Sequence, residues 1–152
     1  MKRAISFLIC TVLLLGSAAA EQTVVLPESR YVIDVPDELK YSPAENGDEG
    51  IEAYISDTLE MDYCSYPTAE DAPTLQERAE KLAADGTDAE VRMVNGIEML
   101  VYRVTDEADG APCIGYAFMD GTQTIEIFFW YATQEAADLT RRIMETIRVN
   151  NS

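Results

Sequence analysis

The sequence predicts an α+β domain, a largely antiparallel twisted sheet of about six to seven strands flanked by two helices in an α/β/α sandwich. Three observations carry this. First, residues 97–105, 111–120 and 122–131 form three strand-like runs joined through Asp109-Gly110 and Asp120-Gly121, dipeptides that supply the backbone angles of tight hairpins. Second, two of these runs are apolar on both faces. Ile97, Met99 and Val101 oppose Leu100, Tyr102 and Val104, and Ile125, Ile127, Phe129 and Tyr131 oppose Phe128 and Trp130, with Glu126 the polar exception. A strand of that kind needs cover on both sides. Third, two amphipathic segments, after Thr74 and after Thr133, supply helices to provide it.

Taken in order, Lys2 and Arg3 precede an apolar run over 4–16 and then Ser17-Ala18-Ala19-Ala20, the pattern of a secretory leader cleaved after Ala20. The run is about 13 residues where a membrane span needs about 20. Residues 1–20 are therefore expected to leave, taking Cys10 with them, and 21–152 to form a single globular domain outside the cytoplasm with no membrane insertion. The stretch 23–36 is extended. Tyr31-Val32-Ile33-Asp34-Val35 is a strand closed by Pro36, and Pro27 marks the earlier part as an edge or irregular segment. Residues 37–49, with Pro43, Asn46 and Gly47, are expected to be loop.

Ile51, Ala53 and Ile55 alternate with polar partners in a period of two. A turn at Asp57-Thr58 leads to a strand over 59–66, with Leu59, Met61, Tyr63 and Ser65 on one side and Glu60, Asp62, Cys64 and Tyr66 on the other. Pro67 closes it. Thr74 and Glu77 then form a capping box, Leu75, Ala79, Leu82 and Ala83 a small apolar stripe, and Gly86 a stop. A strand over 89–94 enters the meander through Asn95-Gly96, the strongest hairpin signal in the chain. The last helix starts at Thr133 and buries Ala136, Leu139, Ile143, Met144 and Ile147. Glu135 and Asp138 suit its positive end, Arg141, Arg142 and Arg148 its negative end, and 149–152 is expected to fray.

Of 11 basic and 28 acidic residues, Lys2 and Arg3 are the only charges before Glu21, so the processed chain carries nine against 28, a formal charge of about −19. Nucleic acid and anionic lipid are poor partners for such a surface, because both are bound by neutralising phosphate with Lys and Arg. A basic partner, a cationic wall component or divalent ions suit it better. The chain has no histidine, which removes the Ser-His-Asp and Cys-His arrangements and the usual zinc ligand.

Cys64 and Cys113 remain after processing. An exported compartment permits a disulfide between them, two buried free thiols are the other reading, and no Cys-x-x-Cys spacing poises a thiolate. For calcium as a cofactor, Asp106, Glu107 and Asp109 in one turn and Asn46, Asp48 and Glu49 in another offer oxygen donors. Neither set has the spacing of the twelve-residue calcium loop, and Asp106 and Asp109 serve equally as turn initiators. Trp130, Tyr131, Tyr102 and Tyr116, with Phe128, are the candidate ligand-binding aromatics, set against the commoner role of strand aromatics as core.

The order of elements resembles the Mog1/PsbP-like fold. The resemblance rests on the Tyr31-Val32-Ile33-Asp34-Val35-Pro36 opening, the Leu75 helix, Asn95-Gly96, Asp120-Gly121, the strand over 125–131 and the helix over 139–147. It implies a domain that binds or stabilises other proteins and has no common catalytic centre. The sequence is therefore read as an exported, non-catalytic domain binding a protein, for which a basic surface suits the charge, or an envelope component. The alternative is a carboxylate-based glycan-active enzyme or carbohydrate-binding domain.

Overall fold

The computed structural model describes residues 21–43, 51–108 and 110–151. The expected leader over 1–20, the oxygen donors Asn46, Asp48 and Glu49, and Asp109 lie outside the described residues. The elements run β1 (Glu21–Val25), β2 (Tyr31–Pro36), β3 (Lys40–Pro43), β4 (Ile51–Ile55), β5 (Leu59–Pro67), α1 (Leu75–Ala84), β6 (Asp88–Val94), β7 (Ile97–Thr105), β8 (Pro112–Asp120), β9 (Gln123–Tyr131), α2 (Gln134–Met144) and β10 (Arg148–Val149).

A seven-stranded antiparallel sheet has the order β3-β4-β5-β9-β8-β7-β6. Its β6–β7 hairpin closes through Asn95 and Gly96 at φ 45° and 83°, the left-handed pair a two-residue turn requires. Both helices start as their sequence signals require. The Glu77 N–H donates to Thr74 Oγ1 at 3.2 Å while the Thr74 N–H donates to Glu77 Oε2 at 2.8 Å, and Thr133 Oγ1 accepts from the Ala136 N–H at 3.1 Å.

The first expected strand is where the sequence reading needs correcting. Tyr31–Pro36 does not join the large sheet; it is the middle of a separate three-stranded sheet, β1-β2-β10. The segment expected to fray supplies an edge of this sheet, with Val149 paired to Tyr31. Arg148 accordingly lies past the helix, and its guanidinium donates to both oxygens of Asp34 at 2.6 and 3.0 Å. The expected loop also yields a strand, β3, which edges the large sheet and sets the Tyr41 ring against Tyr54 at 5.6 Å.

One face of the large sheet, here called the closed face, presents Met61, Tyr63, Met99, Val101, Tyr116, Phe118, Ile125, Ile127 and Phe129. The small sheet brings Ile33 and Val35 onto it, and α2 with the turn after it brings Ala136, Ile143, Met144 and Ile147. Asn95 Nδ2 donates to the Ile147 carbonyl at 2.6 Å, tying the β6–β7 turn to the end of this layer. The opposite face carries a smaller cluster in which Leu75 and Ala79 of α1 pack on Leu100 and Ala117. The helices thus lie on opposite sides of one sheet, as the sandwich requires.

Candidate functional site

The candidate site follows from how little of the second face α1 can cover. Seven strands at about 4.8 Å spacing span roughly 29 Å, while a helix with its side chains is about 10–12 Å across. α1 packs over β6, β7 and β8, with Leu100 and Ala117 in its cluster and Ala89, Val91, Tyr102 and Met119 around it, and no helix among the described residues lies over β4 and β5 on this face.

Register builds the rows of this open half. In one row Ala53, Asp62, Phe128, Gly115 and Tyr102 stand side by side on β4, β5, β9, β8 and β7; in the next, Ile55, Glu60, Trp130, Cys113 and Val104 do so. Gly115 is what lets the first row lie flat. A Cβ there would come within 2.8 Å of ring carbons of Tyr102, so the tyrosine uses the missing side chain to lie across the strand, and its ring meets Phe128 edge-on at 6.5 Å. Phe128 and Trp130 are half-buried, while Ile55 and Tyr66 are exposed at the margin.

At the border under α1, Arg78 reaches across to Glu126, whose Oε1 also accepts from the Tyr66 hydroxyl at 3.0 Å. This carboxylate is neutralised. Beyond the border, Trp130 Nε1–H donates to Asp62 Oδ2 at 3.2 Å, and Glu60 stands two residues along the same face. No lysine or arginine among the described residues forms an ion pair with Glu60 or Asp62. Burial holds both carboxyls above their ordinary range, and the charge of Asp62 pushes Glu60 further. The hydrogen bond from Trp130 partly offsets the rise at Asp62. Where β5 begins and β9 ends, Ile55, Leu59, Glu60, Pro112 and Trp130 line a cleft of about 340 Å³.

The structure divides the aromatic residues picked out in the sequence. Trp130 and Tyr102 share one side of the sheet, Trp130 on its open half and Tyr102 against the cluster that α1 forms. Tyr131 points to the other side and packs half-buried against the main core, while Tyr116 is 2% exposed there with its ring edge-on to Phe129 at 5.9 Å. Tyr116 is therefore a core residue, because it occupies the opposite phase of the strand alternation.

Cys64 and Cys113 are free thiols, which corrects the disulfide considered above. They lie on β5 and β8 with β9 between them, Cys64 opposite Glu126 and Cys113 opposite Trp130. Two strand spacings alone put them about 9.6 Å apart, past the roughly 4.4–6.8 Å that a disulfide spans between Cα atoms. Burial pushes the Cys113 thiol up to about 12 and raises Cys64, which the charges of Glu126 and Asp62 raise further, so neither thiol is poised as a nucleophile.

In the turn before β8, Asp106 Oδ1 accepts from the Ala108 N–H at 2.6 Å and its backbone N–H donates to the Ala111 carbonyl at 2.8 Å, the turn-initiating role. Glu107 is exposed beside it. Among the described residues no group of three or more Cys, Asp or Glu side chains could hold a metal ion.

With the architecture in view, known structures can be set beside it. The solution structure of cyanobacterial PsbP (CyanoP) from Synechocystis sp. PCC 6803 superposes with a TM-score of 0.60 at 13% identity, over 86% of this chain and 93% of that one. The fold is Mog1/PsbP-like. A crystal structure from Bacteroides thetaiotaomicron VPI-5482 shares this Mog1/PsbP-like sandwich with a TM-score of 0.57 at 13% identity, over 84% of this chain. This chain spans 47% of that one. No protein-family model and no curated protein matches the sequence. At such identities the likeness carries the fold, and the site rests on the residues of this chain.

Glu60 and Asp62 are the site residues that the sequence reading placed on the polar side of their strand without connecting them to Trp130. Their alternation with Leu59, Met61 and Tyr63 was the available signal. The β5–β9 register that joins them to Trp130 links residues 68 positions apart and is not a local property.

Proposed function

We propose that this is a non-catalytic domain, working outside the cytoplasm, that holds a protein or an envelope component against the open half of its large sheet. The observation that carries the reading is the uneven cover of the sheet. One face is sealed by a second sheet and a helix, whereas Phe128, Trp130 and Ile55 on the other stand outside the cluster that α1 forms, and Tyr66 is exposed at its margin. A rigid antiparallel sheet keeps such side chains in fixed positions at little entropic cost, which suits a binding surface. The signal-like leader and the acidic composition support the location.

The carboxyls weigh against the glycan-active alternative. Glycoside hydrolysis needs two carboxyl groups facing each other across the sugar, about 5 to 9.5 Å apart. Glu60 and Asp62 instead stand on one strand and interact directly with each other.

The test is photo-crosslinking in the envelope of the producing cell, with a photoreactive residue placed at Tyr66 on the open half or at Glu80 on the outer side of α1. Adducts are expected from Tyr66 alone and are expected to disappear when Trp130→Ala is added. Adducts from Glu80 with none from Tyr66 would move the binding surface elsewhere.

A further inference from the structure

We infer that the group this face recognises is a cationic side chain, a lysine ammonium or an arginine guanidinium of a partner protein, seated against the Trp130 indole beside Glu60 and Asp62. The inference rests on the binding surface proposed above and specifies its chemistry.

Three features point to a cation. The first is the contrast along β9. Glu126 lies under α1 and has Arg78 of this chain, whereas the carboxylates one and two rows further on have no cation among the described residues. A positive group arriving from outside would do for Glu60 and Asp62 what Arg78 does for Glu126. An anionic group would be repelled, and a neutral one would cover the carboxyl pair without supplying a cation.

The second is the indole. Its N–H is held by Asp62, which fixes the ring, and the ring lines the cleft with Ile55, Leu59 and Pro112. Tryptophan is the best aromatic partner for a cation, and apolar walls strengthen that attraction by excluding water. The walls also suit the methylene stem of a lysine or arginine, which packs on apolar surface while its head stays with the charges.

The third is reach. The formal charge of −17 draws basic surfaces toward the protein from a distance and repels acidic ones. A bare divalent ion does not fit the same features, because it takes six or more oxygen ligands and an indole offers none.

The experiment uses the processed chain and exploits its single tryptophan, whose indole N–H gives one resonance in a proton–nitrogen NMR spectrum. Hexalysine is the probe, hexa(acetyl-lysine) its neutral counterpart, and the variants are Glu60→Gln with Asp62→Asn together, and Asp34→Asn as a control on the small sheet. Hexalysine is expected to move the Trp130 indole resonance, and the acetylated peptide to leave it in place. The double variant should weaken the effect about tenfold, added salt should weaken it further, and Asp34→Asn should leave it unchanged.

Equal shifts with the acetylated peptide would overturn the cation while leaving the open face as a binding surface. Undiminished binding of hexalysine to the double variant, with shifts spread over the acidic surface, would overturn it as well. The crosslinking experiment above tests the surface independently of charge. Backbone resonances in the same spectra report whether each variant has folded.

Discussion

Phe128 and Phe129 are neighbours in one strand, and nearly everything that distinguishes the two faces of the large sheet can be read from their difference. Phe129 is 0% exposed, its ring edge-on to Tyr116, inside the layer closed by α2 and the small sheet. Phe128 is half-buried, meets the Tyr102 ring edge-on, and stands outside the cluster that α1 forms. The same residue type, one position apart, serves the core in one case and a surface in the other. Apolar residues on both faces of a strand therefore call for cover on both sides, but the amount of covering structure decides which half receives it.

Substituting each phenylalanine separately gives the widest separation of the two faces. Phe129→Ala should cost about 3–5 kcal/mol in urea unfolding, the usual loss for a large aromatic in a packed core. Phe128→Ala should cost less than about half of that, since less area leaves contact and water already reaches the site. Equal losses would mean that the open half is as well covered as the closed one, and the binding surface would then have no physical basis.

Gly115 sharpens the comparison within the open face. Gly115→Ala forces its new methyl into the ring of Tyr102, so the ring must leave the strand it lies on and part with Phe128. A loss of about 1–3 kcal/mol is expected, as for other overpacked sites. In a Tyr102→Ala background the same substitution should be nearly silent, and this non-additivity in a double-mutant cycle is the measurement that matters. Additive losses would show that the glycine answers to something other than the tyrosine.

Much of this architecture was legible in local sequence. The capping box at Thr74, the Asn95-Gly96 turn and the period-two strands of the meander each specify their own geometry within a few residues, and the structure follows them closely. What local sequence could not carry was partnership. Tyr31-Val32-Ile33-Asp34-Val35 looks the same whether its neighbours belong to the large sheet or to a small one, and the strand Arg148–Val149 is too short to announce itself. The site was half legible for the same reason. Trp130 stands out as the single tryptophan, but Asp62 meets it only through a long-range register. Tyr116 differs from Tyr102 only in phase, and phase identifies the buried side only after both layers are in place.

The smallest expected effects separate the two regions by the sign of their pH dependence. Glu60 and Asp62 have folded-state values raised by burial, so between the ordinary carboxylate range near pH 4 and those raised values the folded protein holds protons that the unfolded chain has released. Their contribution to stability is full below that range and is lost as the pH rises through the raised values. Glu60→Gln should therefore stabilise the protein at neutral pH by a few tenths of a kcal/mol, a small figure because the group still faces solvent, and by nothing below about pH 4. Asp34 is held below its ordinary value by the hydrogen bonds from Arg148, so its contribution is present above the unfolded value and is lost as the pH falls through the folded one. Asp34→Asn should accordingly destabilise at neutral pH, and by less as the pH falls below the ordinary carboxylate range near 4. Urea midpoints at pH 7 and pH 3 check both variants. If both moved in the same direction at pH 7, the open face would not be holding uncompensated charge, and the case for a cation there would fail with it.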